Sequence, residues 1–423
     1  MIYLISKVIS DVLSKVVLYS FVGYWFVSLF ICTFRPYEIY EVSNSTYYLL
    51  LLGATSFVAG MIVVGNRKAK TVNFPSFNDA LLKLLNNRLI ICVFIVSVFQ
   101  GLRFAPMALA VAFLDEGVNQ AEKADLIFSG DPFSILFYSY VMLAFFHLGV
   151  ILVVFMIYEK QIMNHLFQFI LIVVNCIAYG ILAGSRNLFM IVLLYFIIVF
   201  FAITPRKIKE ILSIKKVMIG ALLFFGVMIG ISKMTSFRME GSFQSDLSIE
   251  EGYTEAIELT TRYSVLPLVL FERSLKEDYL DKFGYQYGRA SFAGIDFWVE
   301  AILKRIGIQY HSSQEIVHYV QDNWVPYSPD KNANYSYTGL FYHYMDFGVI
   351  GVFMFPFMFG IIYRRIIIKY ENYPNVPSLL LICICYFMTL HSLFTDYLIK
   401  LWIALYLPVL YLLHYRCIRK RKL

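Results

Sequence analysis

The chain has 423 residues, of which 59% are hydrophobic and 15% are charged. Ordinary soluble domains carry roughly 25% charged residues, so the composition indicates that water is not the main solvent of this protein. The formal net charge is +7, and we expect it to anchor basic loops to anionic lipid rather than to bind nucleic acid.

Apolar blocks separated by short polar stretches recur along the chain. A helix needs roughly 20 apolar residues to cross the hydrocarbon of a bilayer, so each block is a candidate span. The predicted spans are 12–34, 46–65, 88–105, 133–157, 166–183, 187–203, 217–232, 338–363, 378–395 and 401–415. The first block lacks the cleavage pattern of a signal peptide, and we expect it to be retained. The sequence therefore predicts an all-α polytopic membrane protein with about ten transmembrane helices.

The Lys and Arg residues predict the orientation of these spans, because positively charged loops stay in the cytoplasm. Basic residues cluster in the loops 66–87 and 204–216, in the turn after the eighth span (Arg364, Arg365 and Lys369) and in the C-terminal tail. The alternate loops are acid-rich. We therefore place both termini in the cytoplasm of a bacterial inner membrane.

The same alternation places a large loop between spans seven and eight on the outer side. The predicted domains are spans one to seven in 1–232, the outer loop domain in 233–337, and spans eight to ten with the basic tail in 338–423. The loop contains no cysteine, so its fold needs no disulfide.

Apolar side chains at helical spacing predict three helices in the outer loop, over 254–275, 296–306 and 313–320. Pro267 is expected to kink or break the first of them. Amphipathic helices of this kind fit a position along the membrane surface, where they would cap a cavity between the spans.

The turn Gly184-Ser185-Arg186 between spans five and six is the strongest local signal. Gly184 permits the turn, Ser185 is a suitable N-cap, and the start of the next span offers free backbone N–H groups. The Arg186 guanidinium has donors that match phosphate oxygens. The turn therefore predicts a phosphate or pyrophosphate site, although an arginine that snorkels to lipid headgroups is the alternative.

Two further outer arginines, Arg262 and Arg289, lie in aromatic or small-residue surroundings. We expect them to join Arg186 around one polyanion. Arg262 has the alternative of an ion pair with Glu258, four residues earlier on the same predicted helix.

The start of span eight carries His343 and Asp346, which are three residues apart and share one helix face. Ionisable residues inside a span usually face a cavity and mark a functional site. His343 is the candidate general base or pyrophosphate donor, with Asp346 orienting it. Alternatively, Asp346 caps a helix segment at a kink near Gly348. A second pair, His391 and Asp396, lies near the outer end of span nine.

Aromatic rings suit the faces of sugars, and Asn334 and Tyr337 are the candidate sugar ligands just before span eight. Most aromatic residues of the loop are explained equally well by interfacial belts and cores. The sequence contains no P-loop and no metal-ligand cluster, so neither ATP-driven transport nor a metal or other cofactor is predicted.

Four segments together resemble the bacterial oligosaccharide repeat-unit polymerases (Wzy family) of O-antigen and capsule assembly. They are the turn at 184–186, the pair Arg262-Tyr263, the pair Gly288-Arg289, and above all Tyr344-Met345-Asp346-Phe347-Gly348-Val349-Ile350-Gly351, which is similar to the family's Y-x-D-F-G-x-x-G stretch. The likeness in layout covers most of the chain.

The resemblance implies a glycosyltransferase with a polytopic helical fold related to class C glycosyltransferases and O-antigen ligases. The growing glycan would leave its undecaprenyl pyrophosphate carrier and join a hydroxyl of the next lipid-linked repeat. Arg186, Arg262 and Arg289 would hold the pyrophosphate, and His343 or Asp346 would orient or deprotonate the acceptor. No metal is needed once cations neutralise the leaving group. A chain-length regulator and a flippase would be pathway partners.

Two other functions stay open from the sequence. A ligase-like transferase would share the donor and the basic site but deliver the glycan to a different acceptor. A glycolipid flippase would need charged residues buried through many spans and no large outer domain, which is the opposite of the pattern found.

Overall fold

The computed structural model describes residues 9, 11–65, 75–112, 126–183, 187–203, 249–277, 279–329, 331–333 and 337–422. Helices make up 82% of the structure. They are α1 Val12–Thr33, α2 Asn44–Val63, α3 Pro75–Leu85, α4 Arg88–Ala112, α5 Pro132–Tyr158, α6 Leu166–Ala183, α7 Asn187–Ile203, α8 Ile249–Lys276, α9 Tyr279–Phe283, α10 Ala293–Arg305, α11 Gln314–Asp322, α12 Gly339–Asn372, α13 Val376–His391 and α14 Leu401–Lys422. Strands β1 (Val325–Ser328) and β2 (Lys331–Ala333) form an antiparallel hairpin.

Among the described residues, seven helices are long and apolar enough to cross a membrane: α1, α2, α4, α5, α6, α12 and α14. Shorter apolar helices occupy Met190–Ile203 and Val376–His391. The prediction of an all-α polytopic membrane protein is therefore confirmed. The predicted span 217–232 lies outside the described residues.

The predicted end of the eighth span, at residue 363, is wrong. Helix α12 continues to Asn372, so the basic residues assigned to the following turn lie on the helix instead. Arg364 is 1% exposed, and its guanidinium bonds the carboxylate of Asp11 and the hydroxyl of Ser14. This ion pair lets the helix carry a buried charge past the predicted boundary, because the carboxylate and the hydroxyl replace water around it.

The three helices predicted in the outer loop correspond to α8, α10 and α11. Helix α8 continues through Pro267 without a break. The β1–β2 hairpin was not predicted, because its strands are too short to give an alternating pattern.

The chain divides into two compact units. One contains Met1–Val72, Glu258–Tyr373 and Ile384–Leu423, and the other contains Asn73–Ile257 and Pro374–Cys383. All candidate site residues that the structure describes belong to the first unit.

Helices α2 and α12 are in backbone contact, and this contact positions α12. A Cβ atom added to Gly60 would lie 2.1 Å from the carbonyl oxygen of Phe357, and one added to Gly360 would lie 2.4 Å from that of Phe57. Close approach through small residues is a common way for transmembrane helices to associate, since lipid gives no hydrophobic drive for it.

Glu272 connects α8 to the start of α2. Its side chain is buried and accepts hydrogen bonds from the backbone N–H of Ser43 at 3.1 Å and from the hydroxyl of Ser43 at 2.7 Å. Lys276 pairs with the other carboxylate oxygen at 2.7 Å. Burial raises the pKa of Glu272, but hydrogen bonds from Lys276, Thr46 and Ser43 outweigh it and hold the pKa at about 2. The ionised carboxylate therefore caps the positive end of α2.

The substitution Gly60→Ala should lower the free energy of unfolding by about 1–3 kcal/mol, because the added methyl group overlaps a backbone oxygen that cannot rotate away. Unfolding in mixed detergent micelles measures the change. Gly23→Ala on α1 is the matched control, since nothing lies within 4 Å of a Cβ atom at that position. Equal losses in the two variants would contradict close α2–α12 packing.

Candidate active site

A kink in α12 builds the site. Phe347 has φ −144° and ψ 22°, and Gly348 has φ 59° and ψ −139°. The positive φ of Gly348 requires glycine, because other residues meet a steric penalty there. At the kink, the carbonyl oxygens of Met345 and Asp346 accept hydrogen bonds from the backbone N–H groups of Gln286 and Tyr287, at 3.0 and 3.3 Å. The segment before α10 therefore docks onto the opened turn of α12.

The side chain of Asp346 holds the turn at residues 290–291 against the kink of α12. This side chain is fully buried, and its two oxygens accept hydrogen bonds from the backbone N–H groups of Ala290 and Ser291, both at 2.9 Å. The hydroxyl of Ser291 is a further partner of this carboxylate. Both oxygens are thus occupied by protein donors. Asp346 caps the turn at 290–291, which places it in a positioning role.

His343 lies beside this turn. Its Nδ1 is 2.7 Å from the hydroxyl oxygen of Ser291 and 3.8 Å from Oδ2 of Asp396. The ring stacks on Phe355 with centroids 4.8 Å apart. No hydrogen bond to Nε2 is found among the described residues, and the side chain is 12% exposed. Asp346 therefore orients His343 through Ser291 rather than by direct contact.

The arrangement differs from that of a serine hydrolase. A catalytic triad places serine on one ring nitrogen and the carboxylate on the other. Here Ser291 and Asp396 both approach Nδ1. A nearby carboxylate favours the tautomer with its proton on Nδ1, which leaves a lone pair on Nε2. The geometry thus suits a general base that accepts a proton at Nε2.

Asp396 is the residue whose place sequence reasoning missed. It was paired with His391, which is five residues away, whereas the structure brings it to His343. Asp396 is 7% exposed, and Oδ1 accepts a hydrogen bond from the N–H of Leu398 at 2.8 Å. Oδ2 is buried without a hydrogen-bond partner among the described residues. Burial raises the pKa of Asp396 to about 7, and the charge of Asp346 contributes in the same direction.

Arg289 belongs to the same turn as Ser291 and has an oriented guanidinium. Its Nε donates to Oδ2 of Asp296 at 3.2 Å, and Nη2 donates to the carbonyl oxygen of His311. The guanidinium carbon lies 5.0 Å from the centre of the Tyr310 ring. The side chain remains 40% exposed, so part of it is open to a ligand.

Arg262 is held by a different set of side chains in the same unit. Its Nε is 2.7 Å from Oε1 of Glu258, and its guanidinium lies 5.0 Å from the ring centre of Tyr37. The ion pair that the sequence left open is therefore present. None of these partners belongs to the cluster around His343.

The remaining candidates are not available for a ligand or not described. Tyr337 is fully buried, with its ring 5.1 Å from that of Phe341, so its face is not presented to a sugar. Arg186 and Asn334 lie outside the described residues. Among the described residues, no three His, Cys, Asp or Glu side chains are grouped closely enough to hold a metal ion.

Comparison with known proteins identifies no relative. No protein-family model matches the sequence, and no curated protein or solved structure shows significant similarity to it.

The substitution Asp396→Asn should stabilise the protein relative to wild type, and this difference in stability should grow as pH rises. The folded state keeps the Asp396 proton to about pH 7, whereas the ordinary pKa is 3.8, so ionisation destabilises the folded state progressively between these values. The advantage of Asp396→Asn over wild type should be larger at about pH 8 than at about pH 5 in thermal unfolding. The matched control is Asp281→Asn, at an exposed aspartate outside the cluster. Parallel pH profiles for wild type and Asp396→Asn would contradict this argument.

Proposed function

We propose that the protein is a metal-independent glycosyltransferase of the bacterial cytoplasmic membrane. It polymerises undecaprenyl-pyrophosphate-linked oligosaccharide repeat units into O-antigen or capsular polysaccharide. The observation that carries the proposal is an open histidine nitrogen, Nε2 of His343, beside the turn that bears the partly exposed Arg289. Both lie at the kink of a membrane-spanning helix.

His343 serves as the base in this mechanism. Its Nε2 takes the proton of the acceptor hydroxyl while that oxygen forms a bond to the anomeric carbon of the donor. The bond from the anomeric carbon to the phosphate oxygen breaks, and its electron pair leaves with the pyrophosphate. The charge that the ring acquires is stabilised by the ionised form of Asp396, whose Oδ2 lies 3.8 Å from Nδ1.

Arg289 neutralises the leaving group. A guanidinium has five N–H donors, and two groups of this one are used by Asp296 and His311. The Arg289 side chain is 40% exposed, and its exposed part is available for pyrophosphate oxygens. Because its orientation is fixed in advance, little reorganisation is needed as charge develops. We propose that Arg186 and Arg262 complete the cationic site, on the support of their sequence motifs.

We further propose ten spans with both termini in the cytoplasm and the site at the outer face. Lys and Arg positions support this orientation, and nine of the ten predicted spans coincide with apolar helices in the described part of the chain. In the pathway, a flippase would supply the substrate and a chain-length regulator would act on the same product.

The function and the orientation are tested together with membrane vesicles and defined lipid-linked single repeats. Right-side-out vesicles containing the protein should convert outside substrate into a ladder of longer glycans, and inside-out vesicles should not. His343→Ala should abolish the ladder, because the acceptor proton then has no base. His318→Ala, at an exposed histidine of α11, is the control and should retain activity.

Normal extension by His343→Ala would remove this residue from the mechanism. Activity confined to inside-out vesicles would overturn the orientation. Transfer of the glycan to a different acceptor, without extension, would indicate the ligase-like function.

The substitution Arg289→Lys should reduce extension by about tenfold or more, since a charge-assisted hydrogen bond contributes about 1.5–3 kcal/mol and lysine has no planar pair of donors. Arg273→Lys is the matched control, because its guanidinium also covers a tyrosine, 4.2 Å from the ring centre of Tyr40, and has no contact with the cluster. Initial rates at saturating donor, at equal amounts of membrane protein, measure the effect. Equal rates for the two variants would show that Arg289 acts only as a distant charge.

A further inference from the structure

Helix α10 carries an exposed apolar face, which we call the α10 stripe: Phe292, Ile295, Val299, Ile302 and Ile306. These residues recur every three or four positions, so they lie along one side of the helix. The exposed fractions of Ile302 and Ile306 are 61% and 66%. Full burial of such a side chain contributes about 1.5–3 kcal/mol. Exposure of all five side chains to water would therefore be unfavourable.

The opposite side of α10 is polar and faces the protein. Asp296 is 7% exposed and accepts a hydrogen bond from the N–H of Ser313 at 2.7 Å. Glu300, one turn later, accepts from the N–H of Ser312 at 3.2 Å and pairs with Lys304 at 2.5 Å. The helix therefore turns its polar face inward and its apolar face outward.

The neighbouring helix α11 has the opposite arrangement of apolar and polar residues. It buries its apolar residues Ile316, Val317 and Val320, and it exposes Glu315 and His318. That pattern is the ordinary one for a helix that faces water. The two neighbouring helices therefore face different surroundings.

The beginning of α10 lies at the end of a membrane span. A Cβ atom at Gly294 would lie 2.8 Å from the carbonyl oxygen of Lys400 and 2.9 Å from that of Leu398. The span α14 starts at the next residue, Leu401. The helix thus begins at the level where α14 enters the hydrocarbon.

The α10 stripe is also continuous with the outer surface of α12. The ring of Phe292 lies 5.8 Å from that of Phe355 on α12. Exposed apolar residues of α12 follow directly after its kink, at Val349, Ile350 and Phe353. Because α12 is long and apolar enough to span the bilayer, these residues face lipid.

We propose that α10 lies in the membrane–water boundary, with the α10 stripe inserted into the acyl chains of the bilayer. Its occupant is the phospholipid itself. The exposed Arg305, beside the stripe at the end of the helix, reaches the phosphate groups of the headgroups. This assignment does not depend on the transfer reaction. It has a consequence for the site, because Asp296 on α10 orients Arg289, so the depth of α10 in the bilayer sets the depth of that guanidinium.

Site-specific photo-crosslinking of the full chain tests the proposal. p-Benzoylphenylalanine is placed at Ile302, and the protein is reconstituted into vesicles of phosphatidylethanolamine and phosphatidylglycerol that contain no polyprenyl lipid. Irradiation should give a phospholipid adduct by mass spectrometry. The same group at Lys304, on the opposite side of α10, and at Glu315, on α11, should give several-fold less. A probe at Val299 repeats the measurement within the stripe.

Each other outcome overturns the proposal. A crosslinked dimer would show that a second copy covers the stripe. An adduct that forms only after polyprenyl pyrophosphate is added would make the stripe a substrate groove. An adduct yield at Ile302 as low as that at Glu315 would show that the α10 stripe is exposed to water.

Discussion

The bond between the carboxylate of Asp346 and the backbone N–H groups of Ala290 and Ser291 is the constraint on which the site depends. A buried carboxylate is costly unless donors surround it, and here the main chain supplies them at 2.9 Å each. If this turn moved away from α12, the buried carboxylate of Asp346 would lose its hydrogen-bond donors. Because the same turn carries Arg289 and Ser291, a cation and the partner of His343 are fixed together.

The stretch from Tyr344 to Gly351 has a structural explanation in these terms. Asp346 holds the turn, and Gly348 takes the positive φ that the kink requires. A Cβ atom at Gly351 would lie 1.9 Å from the carbonyl oxygen of His343, so the tightened helix after the kink needs a second glycine. The spacing D-x-G-x-x-G therefore accounts for the kink and for the turn that docks against it, and His343 lies one turn earlier on the same helix.

Features that depend on local sequence were predictable. Apolar runs and helical spacing located the described spans and the helices α8, α10 and α11, because hydrogen bonds within a helix are local. The ion pair of Arg262 with Glu258 was foreseen as an alternative for the same reason, since the two residues are four apart. The burial of Tyr337 was not foreseen, because nothing in its flanking residues distinguishes a core tyrosine from an exposed one.

Features that depend on contacts across the chain were not predictable. Ser291 and His343 are 52 residues apart in sequence, and only the docking of the turn into the kink brings them together. Asp396 was paired with the nearest histidine, His391, but the ring of His391 packs among aromatic residues such as Phe387 and Tyr397. The choice between two histidines is made by the packing of α12 against the segment before α14, which no local pattern specifies.

The three carboxylates of the site differ in how far protein donors satisfy them, and this difference separates their roles. Asp346 and Asp296 are saturated by backbone, hydroxyl and guanidinium donors, so their charge is balanced by the groups that they position. Asp396 keeps one buried oxygen without such a donor, next to His343. In the tautomer with its proton on Nδ1, the ring faces this oxygen at 3.8 Å, and a positive charge on the imidazole would strengthen its attraction to an ionised Asp396. Under the proposed mechanism, protonation of His343 would therefore favour the ionised form of Asp396, because an adjacent positive charge lowers the pKa of a carboxyl group.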